Sequence, residues 1–213
     1  MNKSNDLNKQ STRYILLAII AALLAVVIVV AMTMPALANN IVVPALPPDL
    51  APAPVGSKVF LVGHAFGTQN YICLPTSTGF AFQLFTPQAT LFDGKEQIIT
   101  HFFSVNPNPD DNGAIRATWQ SSQDSSRIWA KTLVTNGSST DANFVAKGAV
   151  AWLTLQVVGH LDGPNNGDKL SSTTTVQRLN THGGLAPTTG CSSLADVGTR
   201  AFQPYTADYF FFR

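Results

Sequence analysis

The sequence predicts a mainly β protein: one domain of about ten short strands, folded as an antiparallel β-sandwich or a closed β-barrel. Three observations carry this. Short runs rich in β-branched and aromatic residues recur from Lys58 onward, and several alternate apolar with polar residues. Asn-Gly or Asp-Gly pairs punctuate them at 93–94, 112–113, 136–137, 162–163 and 166–167. Such pairs supply the positive φ that tight hairpins need. No long stretch shows helical periodicity.

The elements follow in order. Lys3, Lys9 and Arg13 precede a charge-free apolar stretch of 18 residues, Ile15 to Met32, and then Pro35 and Ala36-Leu37-Ala38. A basic start, an apolar core and a small-x-small site describe a secretory signal, with cleavage expected after Ala38. The stretch also reaches the minimum for a membrane span, so an uncleaved anchor over 15–32 is the alternative. Either way the rest of the chain is expected outside the cytoplasm. Residues 39–56 hold Pro44, Pro47, Pro48, Pro52 and Pro54. That density favours extended polyproline II, as a semi-rigid linker or an arm lying along the domain.

The domain itself is expected over 57–213. Its strands are read at 58–65, 68–74, 79–86, 89–93, 96–103, 114–120, 127–134, 149–160, 171–179 and 205–212, with one short helix at 140–146. In 115–120, Ile115, Ala117 and Trp119 share a face. Leu153, Leu155 and Val157 oppose Trp152, Thr154 and Gln156. In the run 205–212, Tyr205, Ala207, Tyr209 and Phe211 alternate with Thr206, Asp208, Phe210 and Phe212. Both of those faces are mostly apolar, which predicts a central strand.

Charge narrows the partners. Of 13 basic and 12 acidic residues, Lys3, Lys9, Arg13 and Asp6 lie before residue 38, which leaves 10 and 11. A balanced chain lacks the Lys and Arg excess that phosphate backbones require, so nucleic acid is not expected as a partner. A membrane enters only through an uncleaved N-terminal segment. The expected partner is a small molecule, a glycan or another envelope component.

Cys73 and Cys191 are the only cysteines. They lack CxxC spacing, and in an oxidising compartment one structural disulfide is expected between them. The histidines, His64, His101, His160 and His182, show no HxH or HxxxH spacing, so no metal and no cofactor is expected. There is no GxSxG elbow, and Glu96 is the sole glutamate, which argues against a serine hydrolase or a paired-carboxylate glycosidase. Asp124-Ser125-Ser126 reads as a turn or cap, and the acidic runs 108–113 and 162–168 as hairpin turns. Asp208, in an apolar strand, needs a partner if buried; Arg178 or His182 could provide it, and a structural Asp208–Arg178 pair is the expected one.

A Cys73–Cys191 bridge draws Gln69 and Tyr71 toward His182 and the glycines 183–184. The resulting ligand-binding candidate is His64, Gln69, Arg178 and His182, flanked by Tyr71. Phe66, Tyr71, Trp119, Trp129, Trp152, Tyr205 and Tyr209 form the core or an aromatic groove. Three functions follow: a non-catalytic exported binding domain, a hydrolase or lyase with a His/Asp site, and a structural or oligomeric surface protein.

The segments 67–73, 87–93, 99–103, 116–130, 150–158, 173–191 and 204–213 occur together and in an order that resembles the domain-of-unknown-function 3455 family, exported proteins of bacteria and fungi. QRLNTHGGLAP (177–187) followed by Cys191, and PYTADYFF (204–211), carry most of the resemblance. Ala149-Val150-Ala151-Trp152 departs from it, where members often carry Ile-Pro-Trp. The resemblance implies an extracytoplasmic single domain and no particular activity.

Overall fold

The computed structural model describes residues 41–213; the expected signal, its cleavage site and the alternative anchor at 15–32 lie outside them. Nine strands run in order: β1 Val59–Thr76, β2 Gly79–Asp93, β3 Glu96–Val105, β4 Ile115–Ser121, β5 Arg127–Thr132, β6 Ser138–Ser139, β7 Trp152–Leu161, β8 Thr175–Gly183 and β9 Arg200–Phe212. Every pairing is antiparallel, and β1 binds both β2 and β9 while β5 binds both β4 and β7. Eight strands therefore close on themselves as a barrel, with the two-residue β6 added against β7. Closure leaves none of the eight with a free edge, and it decides against the sandwich.

Ten expected strands become nine because two pairs fuse and the unexpected two-residue β6 is added. The break expected near Gly67 does not occur. Gly67 pairs with Ala89 and Tyr205, and a Cβ there would stand 2.1 Å from the Gln88 carbonyl oxygen. Glycine is in the strand to let two backbones approach, not to end it. Pro87 likewise sits within β2, beside a register shift at Asn70/Tyr71. The Thr86 hydroxyl accepts the Phe103 amide nearby, which gives that donor of β3 a partner.

The helix expected at 140–146 is a turn instead. The Asp141 carboxylate accepts the Asn143 amide, and the Asp141 carbonyl accepts those of Phe144 and Val145. One closed turn leads directly to Gly148, whose φ of +80° ends it. β7 starts at Trp152 rather than 149, since Val150 and Ala149 bond outward to Gly183 and Gly184. The only helical pieces among the described residues are three-residue 3-10 turns at Pro109–Asp111, Pro164–Asn166 and Leu194–Asp196.

Period-two alternation divides the apolar residues between two cores. Inside the barrel lie Ala65, Leu91, Ile99, Trp119, Ile128, Leu155, Val176, Tyr205, Ala207, Tyr209 and Phe211. Outside, Trp152, Leu179, Phe210 and Phe212 pack with Leu50, Val145 and Ala149, against Ile41, Val43, Leu46 and Ala53. The proline-rich segment is thus an arm lying on the barrel wall. Its Ala51 amide donates to Asn136, its Ala51 carbonyl accepts the Thr154 hydroxyl, and Asp49 accepts Ser139. Coverage on both sides is why β9 is apolar on both faces.

Cys73 and Cys191 are bonded, closing 118 residues of sequence. The bond ties the end of β1 to the long loop between β8 and β9, at the end of the barrel where β4 begins. A disulfide indicates an oxidising environment. No helix among the described residues is long and apolar enough to cross a membrane.

Candidate functional site

The barrel is filled unevenly. Towards the end where β9 finishes, Leu91, Ile99, Ile128, Val176 and Phe211 pack solidly. Towards the disulfide end a cavity of about 200 Å³ remains. Each of the eight barrel strands contributes to its wall: Gln69 and Tyr71, Leu84 and Pro87, His101 and Phe103, Ala117 and Trp119, Thr132, Leu153 and Leu155, Arg178, and Tyr209. Leu84 and Thr132, both exposed, mark the rim.

Arg178 follows from strand geometry. Val176 points into the lumen, so Arg178, two residues on, does the same, while Gln177 and Leu179 face the arm side. Its Nε and Nη2 donate to the Ala151 carbonyl at 3.2 and 2.9 Å. Among the described residues no carboxylate pairs with it. Its charge is nonetheless felt by Tyr71, His101, Tyr205 and Tyr209.

The groups around Arg178 are neutral. Burial pushes the His101 imidazole down to about 3; its backbone bond to Thr118 opposes this and the Arg178 charge adds to it. His101 Nδ1 lies 2.8 Å from the Thr118 carbonyl, which only accepts, so Nδ1 carries the proton. The ring stacks on Trp119 at 4.4 Å. Burial raises the phenols of Tyr71 and Tyr209, against the pull of Arg178, and raises Tyr205 further, with Tyr209 beside it adding to the effect. Tyr71 donates to the Gly184 carbonyl at 2.6 Å. Among the described residues two donors in the wall have no partner: Gln69 Nε2 and Trp119 Nε1, on residues 1% and 0% exposed.

A second, shallower hollow lies on the outer surface, lined by His64, Phe66, Asn180, His182, Thr206 and Asp208. His64 Nδ1 stands 2.6 Å from Asp208 Oδ1, and Asn180 Nδ2 donates to Asp208 Oδ2 at 2.8 Å. Asp208 is partnered there and not by Arg178, because adjacent residues of paired strands alternate across the wall. The carboxylate orients His64, whose side chain is 53% exposed, and Thr206 brings the one hydroxyl of that lining.

The five residues singled out in the sequence therefore separate. Gln69, Tyr71 and Arg178 meet in the lumen, and Gln69 and Tyr71 both reach Gly184 as the disulfide implies, with a Cβ at Gly184 falling 3.1 Å from Gln69 Cγ. His64 and His182 stand on the far side of the same sheet. Of the aromatic set, Tyr71, Trp119 and Tyr209 line the cavity, whereas Trp152 packs under the arm and Phe66 lies outside. His101 was not singled out; the alternation of Ile99, His101 and Phe103 places it on the Ile99 face. The turn readings stand as well. Asp124 Oδ1 accepts the Ser126 amide and hydroxyl, and Asp111 is held by Arg116 at 2.8 Å through both oxygens.

No curated protein and no solved structure matches the chain. Residues 54–213 match the model of a family described as protein of unknown function, DUF3455, and the chain belongs to that family.

Proposed function

We propose that this protein is an exported, non-catalytic binding domain whose barrel lumen takes a small ligand. The observation that carries the reading is the cavity at the disulfide end, built by all eight barrel strands and holding two unpartnered buried donors. Buried donors normally find partners, and an orphan costs on the order of 1–3 kcal/mol. A bound molecule with acceptors removes that cost. Its apolar and aromatic walls with a few convergent polar groups suit a small organic molecule. Export through residues 1–38 belongs to the same reading and accords with the disulfide.

Titration of the oxidised protein with benzyl alcohol, followed by tryptophan fluorescence, tests the site. We expect a saturable change that Ala117→Leu, which fills the cavity, abolishes while the fold is retained. A response that does not saturate, or that survives Ala117→Leu, refutes lumen binding.

The His64–Asp208 pair favours a second reading, acid–base chemistry at the outer hollow. It has a base and an orienting carboxylate, but little enclosure. Turnover of an ester or lactone probe that His64→Ala abolishes would establish it in place of the lumen reading.

A further inference from the structure

We propose that the lumen ligand is a small aromatic monocarboxylate, of the size of benzoate or phenylacetate, whose carboxylate is received by Arg178. The inference rests on the lumen-binding reading and adds to it the chemical class of the occupant.

Charge gives the first argument. Arg178 brings a guanidinium cation to the cavity wall. It is half-buried in the wall of a largely apolar cavity, and no carboxylate among the described residues neutralises it. Its acceptor, the Ala151 carbonyl, is neutral. Tyr71, Tyr205 and Tyr209 hold their protons more tightly than usual, and His101 is neutral. Charges taken from water are ordinarily paired, and removing the partner of a buried charge is costly. Among the described residues Arg178 has no such partner. The nearest aspartate in register, Asp208, faces outward to His64 and Asn180.

The hydrogen-bond inventory points the same way. Gln69 Nε2 and Trp119 Nε1 are donors without acceptors, and guanidinium is donor only. The acceptors beside them, His101 Nε2 and the Tyr71 and Tyr209 oxygens, are all on neutral groups. A cavity with surplus donors and one surplus positive charge is the complement of a carboxylate, which accepts at two oxygens and carries one negative charge.

Size and wall chemistry specify the remainder of the molecule. The cavity is about 200 Å³. A dry cavity of about 150 Å³ holds one benzene molecule. The lumen therefore accommodates one six-membered ring with a carboxylate, and excludes a fatty acid of membrane length or a nucleotide. Trp119, Phe103 and Tyr209 present aromatic surface to such a ring, with centroids of Trp119 and Tyr209 already 5.7 Å apart in edge-on contact. A free inorganic oxyanion would satisfy the charge and leave the apolar walls bare.

Isothermal titration calorimetry decides, using benzoate, benzyl alcohol and inorganic phosphate against the wild type and Arg178→Met. Benzoate and benzyl alcohol share a ring and differ in charge. We expect benzoate to bind about tenfold or more tighter than benzyl alcohol, as charge-assisted bonds outweigh neutral ones. Arg178→Met is expected to remove that advantage and leave benzyl alcohol affinity within about twofold. Equal wild-type affinities, or benzoate binding untouched by Arg178→Met, overturn the carboxylate proposal while benzyl alcohol binding leaves the lumen reading standing. Phosphate binding as tightly as benzoate also overturns it, since an aromatic body would then contribute nothing. If neither aromatic probe binds, both readings fall. Should Arg178→Met not fold, the wild-type ratio of benzoate to benzyl alcohol decides alone.

Discussion

Acid should destabilise this barrel through His101, earlier and more steeply than its carboxylates alone would. The imidazole is fully buried, stacked on Trp119 and bonded to the Thr118 carbonyl, and its pKa stands at about 3 in the fold against 6.5 in the open chain. With the folded value below the unfolded one, the unfolded state takes up the proton first as pH falls. The contribution is complete above pH 6.5, declines below it, and is spent near pH 3. Each pH unit in that window costs about 1.4 kcal/mol. Between pH 6.5 and 4.5 the loss attributable to this side chain is about 2.3 kcal/mol, the first unit costing less because the unfolded imidazole is already half protonated at 6.5. Urea unfolding at pH 7.5, 6.5, 5.5 and 4.5, on the wild type and His101→Gln, isolates it. His101→Gln is less stable at neutral pH, and the gap between the two proteins should narrow by that amount as pH drops. Carboxylates such as Asp124, held near 2, lose their contribution mainly below pH 4 and do so in both proteins. Parallel pH profiles for the two proteins would refute the reasoning. So would a native-state imidazole resonance titrating near 6.5.

Three further outcomes are expected. Replacing Cys73 and Cys191 by Ser opens a 118-residue separation and should lower stability by about 5 kcal/mol on chain-entropy grounds; a loss under about 1 kcal/mol by urea unfolding would contradict that account. Gly67→Ala places a Cβ 2.1 Å from the Gln88 oxygen and 2.6 Å from the Ala89 Cα, both backbone. It should cost about 3 kcal/mol or more in the denaturation midpoint, and an unchanged midpoint would mean the strands can part there. Leu50→Ala, at a buried arm position, should cost about 2–5 kcal/mol and shift Trp152 emission to the red. Wild-type stability in that variant would make the arm a passenger.

Strand alternation was the most legible part of the chain. Ala117 with Trp119, Leu153 with Leu155 and Val157, and the two faces of β9 all fall as period two predicts. Closure was not legible, since a strand's pattern does not say which strand lies beside it; the β5–β7 pairing that excludes a sandwich is a long-range fact. Gly67 and Pro87 misled because the residues that end strands also serve where backbones crowd or a strand bulges. The candidate site was half legible. Proximity along the chain brought Gln69, Tyr71 and Arg178 into the same neighbourhood as His64 and His182. His64 differs in parity from Gln69 and Tyr71, and an extra residue in β8 between Leu179 and His182, with Asn180 at a φ of +51°, turns His182 to the side opposite Arg178. Residues 67–73 hold a register shift at Asn70/Tyr71, which sequence alternation alone does not reveal.

The seam between β1 and β9 joins residues as distant as His64 and Asp208, 144 positions apart. Until the last strand docks, β1 and β8 each present an unpaired edge, and Tyr205, Tyr209 and Phe211 are missing from the interior. Assembly of this molecule therefore waits on β9, the strand that closes the ring between β1 and β8. Contacts of such long span are slow to form, because a large loop must close before any of them is rewarded. A half-made chain exposes sheet edges prone to intermolecular pairing. Folding is expected as a single late event, with the disulfide and the carboxyl-proximal strand fastening the same seam from adjoining positions.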